Sequence, residues 1–297
     1  MSKDQYLIIY NECSGGKKLR DPKQAIKKFF EREKIPHTFC FLCAPQEKID
    51  NLDIQKRYDN NEFNKILVAG GDGTLRRTIE YLYKNDCLVP VGFYPIGSAN
   101  TYARILNLPL QPQQILKNLL KRRHRHMSLG LLNKEHIFLW AACFGKVVEP
   151  TLQAESHAKD LLGGIAYLLA TLKSITKFPH IPVSYHIDQE KSQTNQAHSA
   201  LVLLNEGARM FVPVSQKWDG DLKFFLLKNE NLLGFIQLLC QAYMLKQEPK
   251  NADVLSGQSI LIKGEFEKKI HLDGDTIDEH TGTYHIEVLD EVATFLC

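Results

Sequence analysis

The stretch KILVAGGDGTLRRTIEYLYK, residues 65–84, constrains this chain more than any other. An apolar run ends in three glycines within four positions, and a helix-period pattern starts at once, with Leu75, Ile79 and Leu82 on one face. Glycine loses the most backbone entropy on ordering. A cluster of three at a strand end therefore needs a compensating gain: a tight turn, or a backbone that another group approaches closely. Strand, glycine loop and helix in that order are the repeating unit of a parallel, doubly wound sheet.

The flanking sequence repeats the unit. YLIIY (6–10) reads as a buried strand followed by the loop NECSGGKKL. Asp21 is a good N-cap with Pro22 at the first helical position, so PKQAIKKFFEREK reads as a helix. HTFCFLC (37–43) and VPVGFYP (89–95) are further strands, the latter running through IGSAN into a short helix, TYARIL. After about residue 127 the rhythm changes to strand-like runs: HIFLWAACF, IPVSYHI, HSALVLLN, LKFFLL, SILIKGE, KKIHLDG and TYHIEVL. Helical patterns near 156–176 and 230–245 interrupt them. The expected fold is α/β plus β. Residues 1–127 form a doubly wound α/β domain, with the last few residues of the chain packing back on it. Residues 128–297 form an antiparallel β-sandwich domain.

A length of 297 residues with 44% hydrophobic content suits one large or two ordinary domains with real cores. The net charge of +3 gives no ground for nucleic-acid binding. The dense block KRRHRH (121–126) reads as a solvated face or an anion contact. Seven scattered cysteines with no preceding signal peptide point to a reducing, cytoplasmic compartment. Cys40 and Cys43 form one CxxC inside an apolar run, without a second ligand pair for zinc, and read as buried structural thiols. The longest apolar stretches, 161–172 and 232–245, fall short of the roughly 18–20 residues of a membrane-spanning helix. The expectation is a soluble protein, or one peripheral to a membrane.

In an open α/β sheet, ligands sit at the carboxyl ends of the strands. Gly70, Gly71, Asp72, Gly73 and Thr74 lie at such an end and open a helix. Free N–H groups there favour an anion, and missing Cβ atoms let phosphates come close. A carboxylate beside phosphates needs a cation between them, which suits Mg²⁺ at Asp72. The competing reading is a tight turn in which Asp72 bonds its own backbone. The loop PIGSANTYAR adds Ser98 and Asn100, with Arg104 one helical turn beyond, able to reach a phosphate. The loop after the first strand adds Asn11, Ser14 and Lys17.

With these residues the chain resembles the diacylglycerol kinase catalytic family, which includes bacterial soluble lipid kinases and the sphingosine and ceramide kinases. The resemblance rests on Asn11-Glu12-Cys13-Ser14-Gly15, on GGDGT at 70–74, on PIGSANTYAR, on Asp219-Gly220 and on Asp273-Gly274-Asp275, in order, over nearly the whole chain. It implies a nucleotide-binding domain, a β-sandwich lipid domain and an active site in the cleft between them. It implies ATP- and Mg²⁺-dependent phosphorylation of a lipid hydroxyl, diacylglycerol-like or sphingoid-like, with Asp273 as base. Asp72, Asp275 and Asp219 then serve the metal. Both Asp-Gly pairs also read as hairpin turns.

The chain departs from the family at Thr101 and Ser98, at Asp275 where a glutamate is usual, and at Ser128 where an aspartate is usual. These departures open a second reading, a catalytically weak nucleotide- or lipid-binding protein on the same scaffold. NAD kinase shares GGDGT and is a third. A lipid acceptor also implies docking at a membrane surface, where Lys17, Arg104 and the basic block face anionic phospholipid headgroups.

Overall fold

The structure is a computed structural model. It describes residues 4–14, 21–44, 48–97, 100–109, 111–121, 123–145, 180–188, 190–204, 222–227, 252–266, 269–278 and 281–297. It divides into two compact units, 1–129 with 290–297, and 130–289.

The first unit is built on parallel strands β1 (Tyr6–Asn11), β2 (His37–Leu42), β3 (Lys65–Gly70) and β4 (Val91–Pro95). They are ordered β2-β1-β3-β4. Strands β1 and β3 are buried along their whole length, as expected of central parallel strands covered on both faces. Helix α1 (Pro22–Arg32) starts where the sequence predicts: the Asp21 carboxylate accepts from the Gln24 amide at 3.1 Å, with Pro22 in the first turn. Ile26, Phe29 and Phe30 put its apolar stripe on the sheet core with Tyr6, Ile8 and Tyr94. A short 3-10 turn (Ile49–Leu52) leads into α2 (Ile54–Asp59). Helix α3 (Asp72–Lys84) follows β3 directly and buries Leu75, Ile79 and Leu82. Helices α4 (Thr101–Ile105) and α5 (Pro112–Leu119) follow β4.

The remaining strands are β5 (His124–Leu132), β6 (His136–Phe138), β7 (Ala141–Gly145), β8 (Ile181–Ile187), β9 (Gln193–Ala197), β10 (Ser199–Leu203), β11 (Leu222–Leu227), β12 (Ala252–Gly257), β13 (Ser259–Lys263), β14 (Lys269–Leu272), β15 (Asp275–Asp278) and β16 (Thr283–Leu296). In the second unit one sheet runs β12-β11-β10-β7-β14-β15, antiparallel throughout. The other runs β16-β13-β8-β9, with β5 paired to β16 and β6. Phe144, Val202, Phe224 and Leu272 from the first sheet share one core with Tyr185, Ile262 and Tyr284 from the second, so the sheets pack face to face. Strand β16 serves both units. Its early residues pair with β13, and its last, Phe295 and Leu296, pair in parallel with β4.

Three expectations change. HIFLWAACF is two strands, because the chain turns at Leu139–Trp140, where three successive backbone amides point to one carboxylate. The basic block is in part the start of strand β5, with Arg123, His124 and His126 exposed. Of the CxxC pair, Cys40 is buried on β2 but Cys43 lies past the strand end and is exposed. The helical patterns at 156–176 and 230–245 lie outside the described residues. Among the described residues no helix is long and apolar enough to cross a membrane.

Candidate active site

The first unit brings three strand ends together. The Asn11 side chain, at the end of β1, donates to the Thr74 hydroxyl in the first turn of α3 at 2.8 Å. Its oxygen accepts from the Cys13 amide at 2.9 Å, closing a side-chain-to-backbone turn. Both ends of Asn11 are therefore used in shaping the loop, with the Ser14 amide bonded back to the Asn11 carbonyl at 3.1 Å. The exposed Cys13 thiol donates to the Cys43 carbonyl at 3.3 Å, which ties this loop to the end of β2.

The glycines of GGDGT pack loop against loop. The Ile96 amide donates to the Gly70 carbonyl at 2.9 Å. A Cβ on Gly97 would lie 2.6 Å from the Gly71 Cα, so two backbones meet where no side chain fits. Gly71 is the N-cap of α3 in an extended conformation, and Asp72, Gly73 and Thr74 form its first turn. The N–H groups of that turn have no partner within the helix and present the positive end of a 13-residue helix. Asp72 turns away from its own backbone. Its two oxygens accept from the Thr101 amide at 2.8 Å and the Tyr102 amide at 3.0 Å, the first residues of α4. Asn100 sits in the left-handed region at φ 49° and donates to the Gly97 carbonyl at 2.8 Å. Its oxygen is buried without a partner among the described residues. Arg104 is exposed on α4. Arg76 is buried and paired with Glu80 at 2.9 Å, and Arg77 reaches the Gly73 carbonyl at 3.3 Å. The two arginines thus serve α3 itself. Ser98 and Lys17 lie outside the described residues.

The second unit carries the other carboxylates. Asp273 and Gly274 form the two-residue turn between β14 and β15, both at positive φ (54° and 94°), with Leu272 paired to Asp275. Asp273 is buried, and its oxygens accept from the amides of Leu139 (2.6 Å), Trp140 (2.9 Å) and Ala141 (3.0 Å). Three of a carboxylate's roughly four acceptor positions are thereby filled. Asp275 is half-buried at the start of β15. Asp219 lies outside the described residues. Burial, with Asp273 adding to it, pushes the Cys143 thiol up to about 12, so this cysteine is an inert neighbour of the turn. Among the described residues no three His, Cys, Asp or Glu side chains converge as a metal cage. A kinase cation takes only one or two carboxylates and relies on phosphate oxygens for the rest.

In the first unit, Ser128 stands where a carboxylate was expected from the resemblance. Its hydroxyl donates to Asp290 at 3.4 Å and accepts from the Glu291 amide at 3.3 Å, which pins β5 to β16. Sequence reasoning missed both long-range carboxylate roles, Asp72 to α4 and Asp273 to 139–141. An aspartate followed by glycine is a turn signal and carries no record of an amide 29 or 134 residues away.

Comparison with known proteins adds a second line. The diacylglycerol kinase catalytic domain matches residues 5–132. A diacylglycerol kinase of Bacillus subtilis is 28% identical over 241 residues, covering 79% of this chain and 77% of that protein. The crystal structure of a diacylglycerol kinase from Bacillus anthracis superposes with a TM-score of 0.76 at 21% identity, over 100% of this chain and 98% of that one. An NAD kinase from Archaeoglobus fulgidus, solved in complex with ATP, superposes with a TM-score of 0.56 at 13% identity, over 99% and 93%. The two solved structures establish a shared fold.

Proposed function

We propose that this chain, whose residues 5–132 belong to the diacylglycerol kinase catalytic-domain family, is a lipid kinase that moves the γ-phosphoryl group of ATP to a lipid hydroxyl with Mg²⁺. The observation that carries the reading is the pair of loops at the ends of β3 and β4, pressed together at Gly71 and Gly97 beside the first turn of α3. That surface offers backbone N–H groups and glycine, which suits phosphate oxygens. Phosphoryl transfer asks for positioning and charge stabilisation more than for covalent chemistry. The first-turn amides of α3 orient the phosphates, and Arg104 supplies a nearby cation.

Mg²⁺ would neutralise charge on the β- and γ-phosphates. Asp275 and Asp219 are the second-unit carboxylates assigned to it. Asp273 is assigned the acceptor's proton. Lys17 and the exposed basic residues of β5 are the proposed contacts with anionic headgroups. Cosedimentation with anionic but not neutral vesicles, weakened by salt, is the expected behaviour.

A second reading is favoured by one observation. Three amides on Asp273 suit a fixed structural tether, and hence a nucleotide- and lipid-binding protein with little turnover. Radiolabelled ATP with mixed vesicles of diacylglycerol, sphingoid base and anionic phospholipid separates the two. Labelled lipid in the presence of Mg²⁺ is the expected product. ATP binding without labelled lipid, under every divalent cation tried, would establish the binding protein instead.

A further inference from the structure

We propose that Asp72 is a positioning residue, which sets the shape of the nucleotide loops by capping α4, and is not a ligand of the metal. The inference rests on the reading of this site as a nucleotide site.

Helix α4 begins without a cap of its own. Its N-cap residue Asn100 lies in the left-handed region and makes no side-chain bond to the helix amides: its nitrogen donates to the Gly97 carbonyl, and its oxygen, the atom that could accept from the helix, is buried without a partner among the described residues. The exposed ends of a helix need partners. Here Asp72 supplies them from another element: one oxygen takes the Thr101 amide and the other takes the Tyr102 amide. Because Asp72 is also the first residue of α3, its negative charge stands at the positive ends of both helices, where it is stabilised twice. Tyr102 is fully buried and packs against Phe295, the rings tilted at 53° with centres 5.2 Å apart, so the amide that Asp72 holds belongs to a fixed point of the core.

The consequence is a clamp. Asp72 joins the loop at 70–73 to the start of α4, and the Ile96–Gly70 bond ties the same loop to the end of β4. Gly71 and Gly97 are held between these two ties. A Mg²⁺ ligand must offer a lone pair in near-octahedral geometry at about 2.0–2.1 Å. Each Asp72 oxygen already accepts one N–H bond, and the two amides fix the carboxylate's orientation on the start of α4. The carboxylate that sequence reasoning sends to the metal is the one the fold uses to build the cradle.

The test is ATP affinity by titration calorimetry, in excess EDTA and in Mg²⁺, on the wild-type protein, Asp72→Asn and Thr101→Pro. Asparagine keeps the shape but turns an NH₂ toward one amide. Proline removes the Thr101 donor and leaves the carboxylate intact; because it also restricts the left-handed Asn100 before it, circular dichroism and melting temperature are read alongside affinity. A positioning role predicts an affinity loss of about tenfold for both variants, equal with and without Mg²⁺. It also predicts that the Mg²⁺ concentration for half-maximal transfer is unchanged in whichever variant folds. A loss confined to Mg²⁺ conditions in Asp72→Asn, with Thr101→Pro at wild-type affinity, would make Asp72 a metal ligand and overturn the inference. Unchanged affinity with only a lower melting temperature would reduce Asp72 to a stabilising cap and overturn it as well. If wild type binds ATP but transfers nothing to lipid, the kinase reading falls and this inference, read in binding alone, stands. If wild type binds no ATP, both fall.

Discussion

Asp273 shows how a buried carboxylate answers for more than one property. Its oxygens face donors on three sides, so an isosteric amide cannot replace it: in Asp273→Asn an NH₂ group meets at least one backbone N–H head-on. The expected cost is about 1–3 kcal/mol of unfolding free energy, measured by urea denaturation. A variant as stable as wild type would mean the three bonds contribute little. Lost transfer in Asp273→Asn therefore speaks for a base only after the folded fraction has been measured. His198 gives a second prediction. Burial, helped by the nearby His180, holds its ring at about 4 against an ordinary 6.5. The folded state keeps the ring neutral where the unfolded chain binds a proton. The stabilisation is therefore complete above about pH 6.5, falls as pH drops toward 4, and levels off below. His198→Gln should flatten this part of the stability–pH curve, removing up to about 3 kcal/mol of its fall. Superimposable curves for wild type and variant would contradict the assignment.

At the scale of elements, the two apposed loops give the sharpest expectation. Gly97→Ala places a methyl 2.6 Å from a backbone atom, where no side chain can swing aside, so the β3 and β4 loops must separate. A loss of about 1–3 kcal/mol is expected, with weaker ATP binding, because the cradle itself is distorted. Intact affinity would show that the close approach serves packing alone. Strand β16 gives another. Phe295 is fully buried against Tyr102, and Phe295→Ala should cost about 3–5 kcal/mol by denaturant unfolding. Elements of this kind were legible where the signal is local. The apolar runs of β1, β3 and β4, the Asp21-Pro22 start of α1 and the helical spacing of Leu75, Ile79 and Leu82 each fix their own segment. Strand β9, QTNQA, has no apolar pattern and exists because it pairs with β8 at a sheet edge. The break inside HIFLWAACF depends on a carboxylate at 273. The same division runs through the site. The placement of Gly70, Gly71 and Gly97 at adjacent strand ends could be read from the apolar runs that precede them. The orientation of Asp72 could not, because its partners are amides brought close only by the fold.

At the scale of the whole molecule, the path of β16 matters most. One strand pairs with β13 in one unit and with β4 in the other, and the Cys297 amide donates to the Arg123 carbonyl at 3.0 Å. Removing residues 290–297 strips Phe295 and Leu296 from the first unit's core, about 3–6 kcal/mol of apolar burial. The expected outcome is a protein that no longer binds ATP and melts several degrees lower by calorimetry. Retained binding would show the first unit to be self-sufficient. The strand has a further consequence for how the protein is made. A ribosome delivers residues 1–129 first and residues 290–297 only after the whole second unit has been translated. Until then β4 is paired with β3 on one side only, and its other edge stays open in the nascent chain. Completion of the first unit is thus a late event in biosynthesis, and the interval before it is when its open strand edge is most exposed to aggregation.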